Sequence, residues 1–385
     1  MQANCDPPPP AQAPARITFL YLGRTSAFGR FVLELTEAAL KVREIEPLIA
    51  VSRANPTTPK IAAITGRILA LDTFKEVTPF SVVTKFLSTR SQLLQRLKRD
   101  HPFAVVTLMP HIWTPLLAPS IRRLGIRYVS VVHDAVSHPG DPTAIVTPWL
   151  VREARRADLV VTLSRTVADR LVSAQLAPGD RVLSLFHPDI TFGQPPPERI
   201  RRPGGPFRLL FFGRILPYKG LPLLIEAIEM LRAQSIVVEL GVAGRGDISR
   251  YRTRLAALGT EVINRWIEEA EIPPLFARYD AMALSHIEAS QSGVAAAAFG
   301  SGMPVIGTPV AGIAEQVIDG KTGLLARRLG GRAFADAVRR LALDPGLYQR
   351  IARHLRESAH ERSMARFLDL LLADTLALAS PRRQR

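Results

Sequence analysis

Arg214 and Lys219 stand five positions apart, between an apolar run ending in Gly213 and a helical pattern that begins directly after Gly220. Where a strand ends and a helix begins, backbone N–H groups point outward and favour an anion. Two cations on that connecting loop could clamp a diphosphate. The competing reading is two solvated surface charges. Lys219 is also the only lysine between Lys98 and Lys321, in a chain whose basic residues are nearly all arginine.

A second cluster lies at 286–312. Its polar turn, Glu288 to Gly293, precedes a small-residue helix predicted at 294–299. Gln291, Ser292, Gly293 and Val294 would sit at the start of that helix, where polar groups and glycines converge on a strand end. The alanines behind them read as packing. A third cluster follows the run at 128–132, where His133 and Asp134 are trailed by His138 and Asp141. Two histidines and two aspartates so near each other could hold a metal. The pair ends a strand instead of sharing a helix face, and no further ligands cluster nearby, so the expectation is no metal. His133 then reads as a polar contact to substrate or a proton-handling group, with a loop-bonded histidine as the structural alternative. Near the N-terminus, Gly23, Ser26 and Gly29 lie in a loop (23–30) after the first strand-like run. Glycines there allow close approach of backbone to a ligand, though the spacing does not match a dinucleotide fingerprint.

Positioning such loops takes strands alternating with helices. Short apolar, β-branched or aromatic runs at 17–22, 103–108, 128–132, 159–163 and 182–186 read as buried parallel strands, and runs at 208–212, 237–242, 281–284 and 304–307 repeat the pattern. Helical stretches at 221–231, 294–299 and 333–343 separate the later ones. The chain has 385 residues and 47% apolar content, more than one core usually spans. The expectation is α/β: two doubly wound Rossmann-like domains facing a central cleft. The divisions are a tail at 1–15, a first domain at 16–190, a Pro-rich linker at 191–206, a second domain at 207–365, and a terminal helix with a basic tail at 366–385.

Composition excludes several classes. No apolar run approaches the ~20 residues that cross a bilayer. One cysteine rules out a disulfide framework. The N-terminal run with Asp6 and four prolines does not resemble a secretory signal, and the expected location is cytoplasmic. A formal charge of +16 suggests an anionic partner or a general taste for arginine. Nucleic acid is not expected, because no stretch interleaves aromatics with Arg or Lys.

Together these residues resemble the GT-B retaining glycosyltransferases of the family 4-like group 1. The resemblance runs from about residue 16 to the C-terminus. It is most specific in FFGRILPYKG, GMPVIGTPVAGIAEQV and DGKTGLL. It implies that Arg214 and Lys219 bind the diphosphate of a nucleotide sugar, with UDP or GDP as the carrier. His133 would lie near the donor sugar, and the loop at 23–30 with Asp134 would border the cleft and the acceptor. Many members carry two glutamates with seven residues between them. Counted back from Gly302, those positions fall on Ala289 and Ala297, so Glu288 can replace the first only after a one-residue shift and the second is missing. The resemblance implies sugar transfer with retention, no cofactor, and a glycan or polyprenyl-linked acceptor in polysaccharide or glycolipid synthesis. A non-catalytic nucleotide-binding regulator and a sugar-nucleotide epimerase of the same fold stay open, with a polyanion-binding protein behind them. Residues 81–100 form a basic amphipathic helix. It would either cover its own domain or lie on an anionic membrane surface.

Overall fold

The predicted alternation builds two parallel sheets. A computed structural model describes residues 13–24, 28–74, 79–135, 145–193, 199–201 and 204–378. The first sheet contains β1 (Ala15–Tyr21), β2 (Ile45–Ser52), β3 (Ile68–Leu71), β4 (Ala104–Thr107), β5 (Arg127–Val132), β6 (Leu159–Thr162) and β7 (Val182–Ser184). Their spatial order is β3-β2-β1-β4-β5-β6-β7. The second contains β8 (Phe207–Phe212), β9 (Val238–Ala243), β10 (Glu261–Ile263), β11 (Ala281–Leu284), β12 (Val305–Gly307) and β13 (Gly323–Leu325), in the order β10-β9-β8-β11-β12-β13. Both are doubly wound, and the connection reverses direction between β1 and β4 and between β8 and β11. A crevice opens at such switch points, outside the carboxyl ends of the strands. The loops carrying Arg214, Lys219 and the 288–293 turn follow β8 and β11, the two strands that flank the second switch point.

Buried strand residues seal each sheet. Ile17, Phe19, Val106, Val129 and Val131 lie in one core, and Leu209, Phe211, Leu240, Met282 and Ile306 in another. The sheets hold four strands that the sequence pattern did not single out, β2, β3, β10 and β13. Of these, β2 holds Pro47, which normally argues against an interior strand. The register explains the exception. Ile49 donates its N–H to Arg67 on the β3 side, so Pro47, two residues earlier, points its nitrogen the same way but before β3 begins. The missing donor therefore faces no partner strand.

The segment read as a linker at 191–206 is anchored at Arg199, and so is Ile190 just before it. Ile190 donates to the Ala296 carbonyl at 3.1 Å, and the Arg199 guanidinium donates to the carbonyls of Ser301, Tyr279 and Phe276. Ala296 belongs to the core of the first domain, so the alanine run admits a crossing segment as well as its own sheet. Gly300 makes the same room, since a Cβ there would meet the Ile190 carbonyl at 2.1 Å. The terminal helix, Met364–Ala377, returns to the first domain and packs on helix Gly29–Ala39, with Phe367 against Phe31 at 5.7 Å between ring centroids. Beside it Arg362 bonds Asp189 at 3.1 Å, tying the two crossings together.

Behind β5 sits a buried acid. Glu153 accepts hydrogen bonds from Thr114 and Ser130, and Tyr128 bonds Thr107 at 2.7 Å in the same cluster. Burial pushes the Glu153 carboxyl up to about 8, against the hydrogen bonds that favour its charged form. The folded protein thus keeps its proton to near pH 8, while the unfolded chain releases it near the ordinary value. Raising the pH between those points favours unfolding. By pH 7 the loss is about 3 kcal/mol. Denaturant unfolding of Glu153→Gln between pH 5 and 8 is expected to show a stability advantage over the parent that grows with pH. A constant difference would mean the carboxyl titrates normally.

Candidate active site

The carboxyl ends of β1, β4, β5, β8 and β11 face one interdomain cleft of about 380 Å³. His133, Asp134, Gly213, Arg214, Lys219, Gln291, Ser292, Gly293 and Val294 all line it. Residues drawn from three separate stretches of sequence are thereby brought together.

Lys219 ends the single-turn helix Pro217–Lys219, and only 8% of it is exposed. Gly220 follows at φ +67°, where a Cβ would meet the Ser285 carbonyl at 1.9 Å, so the turn that aims the lysine inward requires glycine. Ser285 returns the contact, its hydroxyl donating to the Lys219 carbonyl at 2.9 Å. Burial, with the Arg214 charge adding to it, lowers the Lys219 ammonium to about 8. Gly213 has φ +95° and closes the arrangement. A Cβ placed there would lie 3.3 Å from Lys219 Nζ and 3.2 Å from Val294 Cγ2. The space above Gly213 is open because it is glycine, and it is bounded by the ammonium on one side and a helix N-terminus on the other.

That helix is Gly293–Gly300. Ser292 caps it, its hydroxyl accepting from Ala295 N–H at 3.3 Å. The Ser292 N–H is held by Gln316 at 2.7 Å, which leaves the first N–H groups of the helix proper to serve an anion. The Gln291 side-chain oxygen is buried and has no hydrogen-bond partner among the described residues.

On the opposite wall His133 is buried, with its edge against Phe28 at 4.5 Å. Nε2 lies 2.9 Å from the Leu108 carbonyl, which can only accept, so Nε2 carries the proton and Nδ1 is an acceptor. Burial lowers the ring's affinity for a second proton, although the Leu108 bond and Asp134 oppose this. A neutral imidazole in this tautomer can take a hydrogen bond from a hydroxyl. It is poorly suited to donate a proton as a general acid.

Other expected residues are placed differently. Gly23 does not line the cleft; its Cα faces the Tyr21 phenol, and its carbonyl accepts from Asn55 at 2.9 Å. Gly29 begins its helix against Thr57, which a Cβ would overlap, so both glycines serve close packing. Glu288 is half-buried outside the cleft lining, because the turn points residues 291–294 inward in its place. Ser26, His138 and Asp141 lie outside the described residues.

Several cleft residues were not singled out from the sequence. His187 bonds the Pro188 carbonyl through Nδ1 at 2.9 Å, and its Nε2 would be 3.8 Å from a Cβ on Gly293. Burial lowers it to about 4, so it too is neutral. Arg265 and the half-exposed Trp266 supply a flat wall after β10. Arg245 follows β9, beside Gly244, whose missing side chain lets that loop touch the Gly213 carbonyl. His187 lies just before the segment read as linker (191–206), and the others sit on loops with no local motif.

The two domains also bond across the cleft edges. Lys60 pairs with Glu269 at 2.6 Å. Ser164 donates to the Ser290 carbonyl at 2.8 Å, and Glu315 accepts from the N–H groups of Arg165 and Thr166. The polar turn that begins the 293–300 helix is thus held partly by the first domain.

Comparison with known proteins agrees with this geometry. Residues 29–183 match the model of Glycosyltransferase Family 4, and residues 206–344 that of Glycosyl transferases group 1. Glycogen synthase of Mycobacterium tuberculosis is 30% identical over 218 residues, 55% of this chain and 51% of that protein. The chain therefore matches about half the length of that relative. A GDP-mannose-dependent alpha-(1-6)-phosphatidylinositol monomannoside mannosyltransferase of Mycolicibacterium smegmatis is 27% identical, covering 67% of this chain and 72% of that one. Among solved structures, Anabaena HepE in complex with UDP and glucose superposes with a TM-score of 0.70 at 16% identity, covering 94% of this chain and 99% of that one. Sucrose-phosphate synthase from Thermosynechococcus elongatus gives 0.69, also at 16% identity, over 95% and 100%. With both halves matched in order and two Rossmann-like domains facing a cleft, the chain belongs to the group 1, family 4-like glycosyltransferases of GT-B fold.

Proposed function

We propose that this protein transfers a hexose from a nucleoside-diphosphate sugar to a glycan or lipid-linked acceptor, with retention at the anomeric carbon, in polysaccharide or glycolipid synthesis. The observation that carries the reading is the glycine-floored space between Lys219 Nζ and the start of the 293–300 helix. As the C1–O bond breaks, its electron pair passes to a β-phosphate oxygen. Charge developing there meets the Lys219 ammonium, the Arg214 guanidinium and the free N–H groups of the helix. The acceptor hydroxyl attacks from the side the leaving group vacates and passes its proton to that departing oxygen. Retention is supported by the family alone. Fixed cations take the place of a metal. His133 accepts from a sugar hydroxyl through Nδ1, and the Trp266 face offers a stacking surface for the base. UDP and GDP are both supported as carriers, one by the HepE complex and the other by the mannosyltransferase.

Thermal-shift screening with UDP, GDP and ADP, followed by their sugars, tests the reading. A ligand at 100 times its dissociation constant adds about 2.7 kcal/mol. One nucleotide is expected to stabilise the protein, and its sugar to be consumed when acceptor is present. Binding without turnover would favour a regulator, product without acceptor an epimerase, and no nucleotide binding would end the proposal. Affinity should also depend on pH. The bound diphosphate keeps Lys219 charged, whereas the empty site loses that proton near pH 8. Above about pH 8 the affinity should therefore fall roughly tenfold per pH unit. Calorimetric titrations from pH 6.5 to 9.5 would show it, and a flat profile would remove Lys219 from the diphosphate site.

A further inference from the structure

Helix Arg165–Ser173 of the first domain takes its N-terminal carboxylate from the second domain. Ser164 caps the helix, its hydroxyl accepting from Val167 N–H at 3.3 Å, and the first turn carries no acid of its own. An acid at that end complements the helix dipole. It comes from Glu315, 150 positions along the chain. The two carboxylate oxygens accept from Arg165 N–H at 2.6 Å and Thr166 N–H at 2.8 Å, and Oε1 also takes the Thr166 hydroxyl. Charge-assisted bonds to two neighbouring N–H groups fix direction as well as distance.

The other end of this contact leads to the donor side of the cleft. Glu315 and Gln316 close the short helix Ala311–Gln316. Neighbouring helical residues point about 100° apart, so the two side chains reach different elements. While Glu315 crosses to the first domain, Gln316 grips Ser292, accepting from its N–H at 2.7 Å and donating to its carbonyl at 3.2 Å. Ser292 is the cap of the 293–300 helix. The short helix also abuts this turn at its start, where a Cβ on Gly312 would overlap the Ser290 carbonyl. That same carbonyl accepts from Ser164. Two routes thus join the start of one helix in the first domain to the start of the other in the second: Ser164 to Ser290, and Glu315 through Gln316 to Ser292.

We propose that Glu315 is a positioning residue that transmits docking of the first domain to the Ser292 cap, so that the start of the 293–300 helix is held in place only while the domains are joined. The N–H groups at that start would meet the β-phosphate, and His133 stands on the opposite wall. Fixing one wall against the other matters most when charge develops during bond breaking, and less when a nucleotide simply binds the second domain. This catalytic consequence rests on the function proposed above. The coupling itself does not depend on turnover.

Amide hydrogen exchange of the nucleotide-free chain tests the coupling. Glu315→Ala should speed exchange at 165 and 166, where the bonds are lost, and by about fivefold or more at Ser292. Arg165→Pro makes the reciprocal cut from the first domain, removing one of the N–H groups that Glu315 accepts. Proline suits the first helical position, and the extended backbone of Ser164 (φ −159°, ψ 153°) suits the residue before a proline. This variant should also speed Ser292 by about fivefold, whereas Arg165→Ala, which keeps the N–H, should stay within about twofold of the parent. In turnover of the cognate donor, each of Glu315→Ala and Arg165→Pro should lower kcat by about fivefold or more, while the dissociation constant of UDP or GDP moves by less than about threefold. The double variant should lose no more than about twofold beyond Glu315→Ala, because both changes remove one contact. Unchanged exchange at Ser292 in both single variants would overturn the coupling. So would kcat losses that multiply in the double variant, or Arg165→Ala matching Arg165→Pro. If neither nucleotide binds the parent while exchange follows the pattern, the donor proposal fails and the coupling stands.

Discussion

Lys219→Met is expected to lower sugar transfer by two to three orders of magnitude while making the nucleotide-free protein more stable. The ammonium is buried beside Arg214, and burial lowers it to about 8. At pH 7 it remains charged, so folding bears the cost of holding that charge against its preference. The unfolded chain keeps its proton well above pH 8, so stability rises as the pH climbs through 8 towards the ordinary lysine value. At neutral pH the cost is about 3 kcal/mol. Methionine fills similar volume without charge and relieves much of it. Removing a fixed charge from a developing oxyanion costs about 3–4 kcal/mol of barrier. Denaturant unfolding without ligand, together with turnover of the cognate donor, would check both signs. Lower stability at pH 7 with unchanged turnover would assign Lys219 to structure.

Gly213→Ala is expected to cost about 1–2 kcal/mol of stability and to weaken nucleoside diphosphate binding about a hundredfold. The stability term comes from a side chain held at φ +95°. The binding term comes from position, since the methyl occupies the space between Lys219 Nζ and Val294. Calorimetry with a diphosphate and with its parent nucleoside separates the effects. The diphosphate should lose affinity far more than the nucleoside. Equal losses would mean that the substitution distorts the whole second domain.

Where function hangs on local order, the sequence is readable. FFGRILPYKG places a strand end, a glycine and two cations within ten residues, and the fold keeps that order. The 291–294 turn is legible for the same reason, because a polar cap precedes a run of small helical residues. The alternation of short β-branched runs with helical stretches likewise indicates two doubly wound domains. β2 was hidden by Pro47, whose tolerance depends on where β3 starts, a fact of register and not of local pattern. His187, Arg265 and Trp266 reach the cleft only because distant strands align their carboxyl ends. Gly23 and Gly29 illustrate the converse, with glycine in a promising loop serving close packing against Tyr21 and Thr57.

The most direct measurement is a crystal structure of the protein with UDP or GDP, whichever stabilises it. The β-phosphate should lie over Gly213, within hydrogen-bonding distance of Lys219 Nζ and of the first N–H groups of the 293–300 helix. A nucleotide bound with its phosphates elsewhere, and that space still open, would contradict the assignment of the cleft.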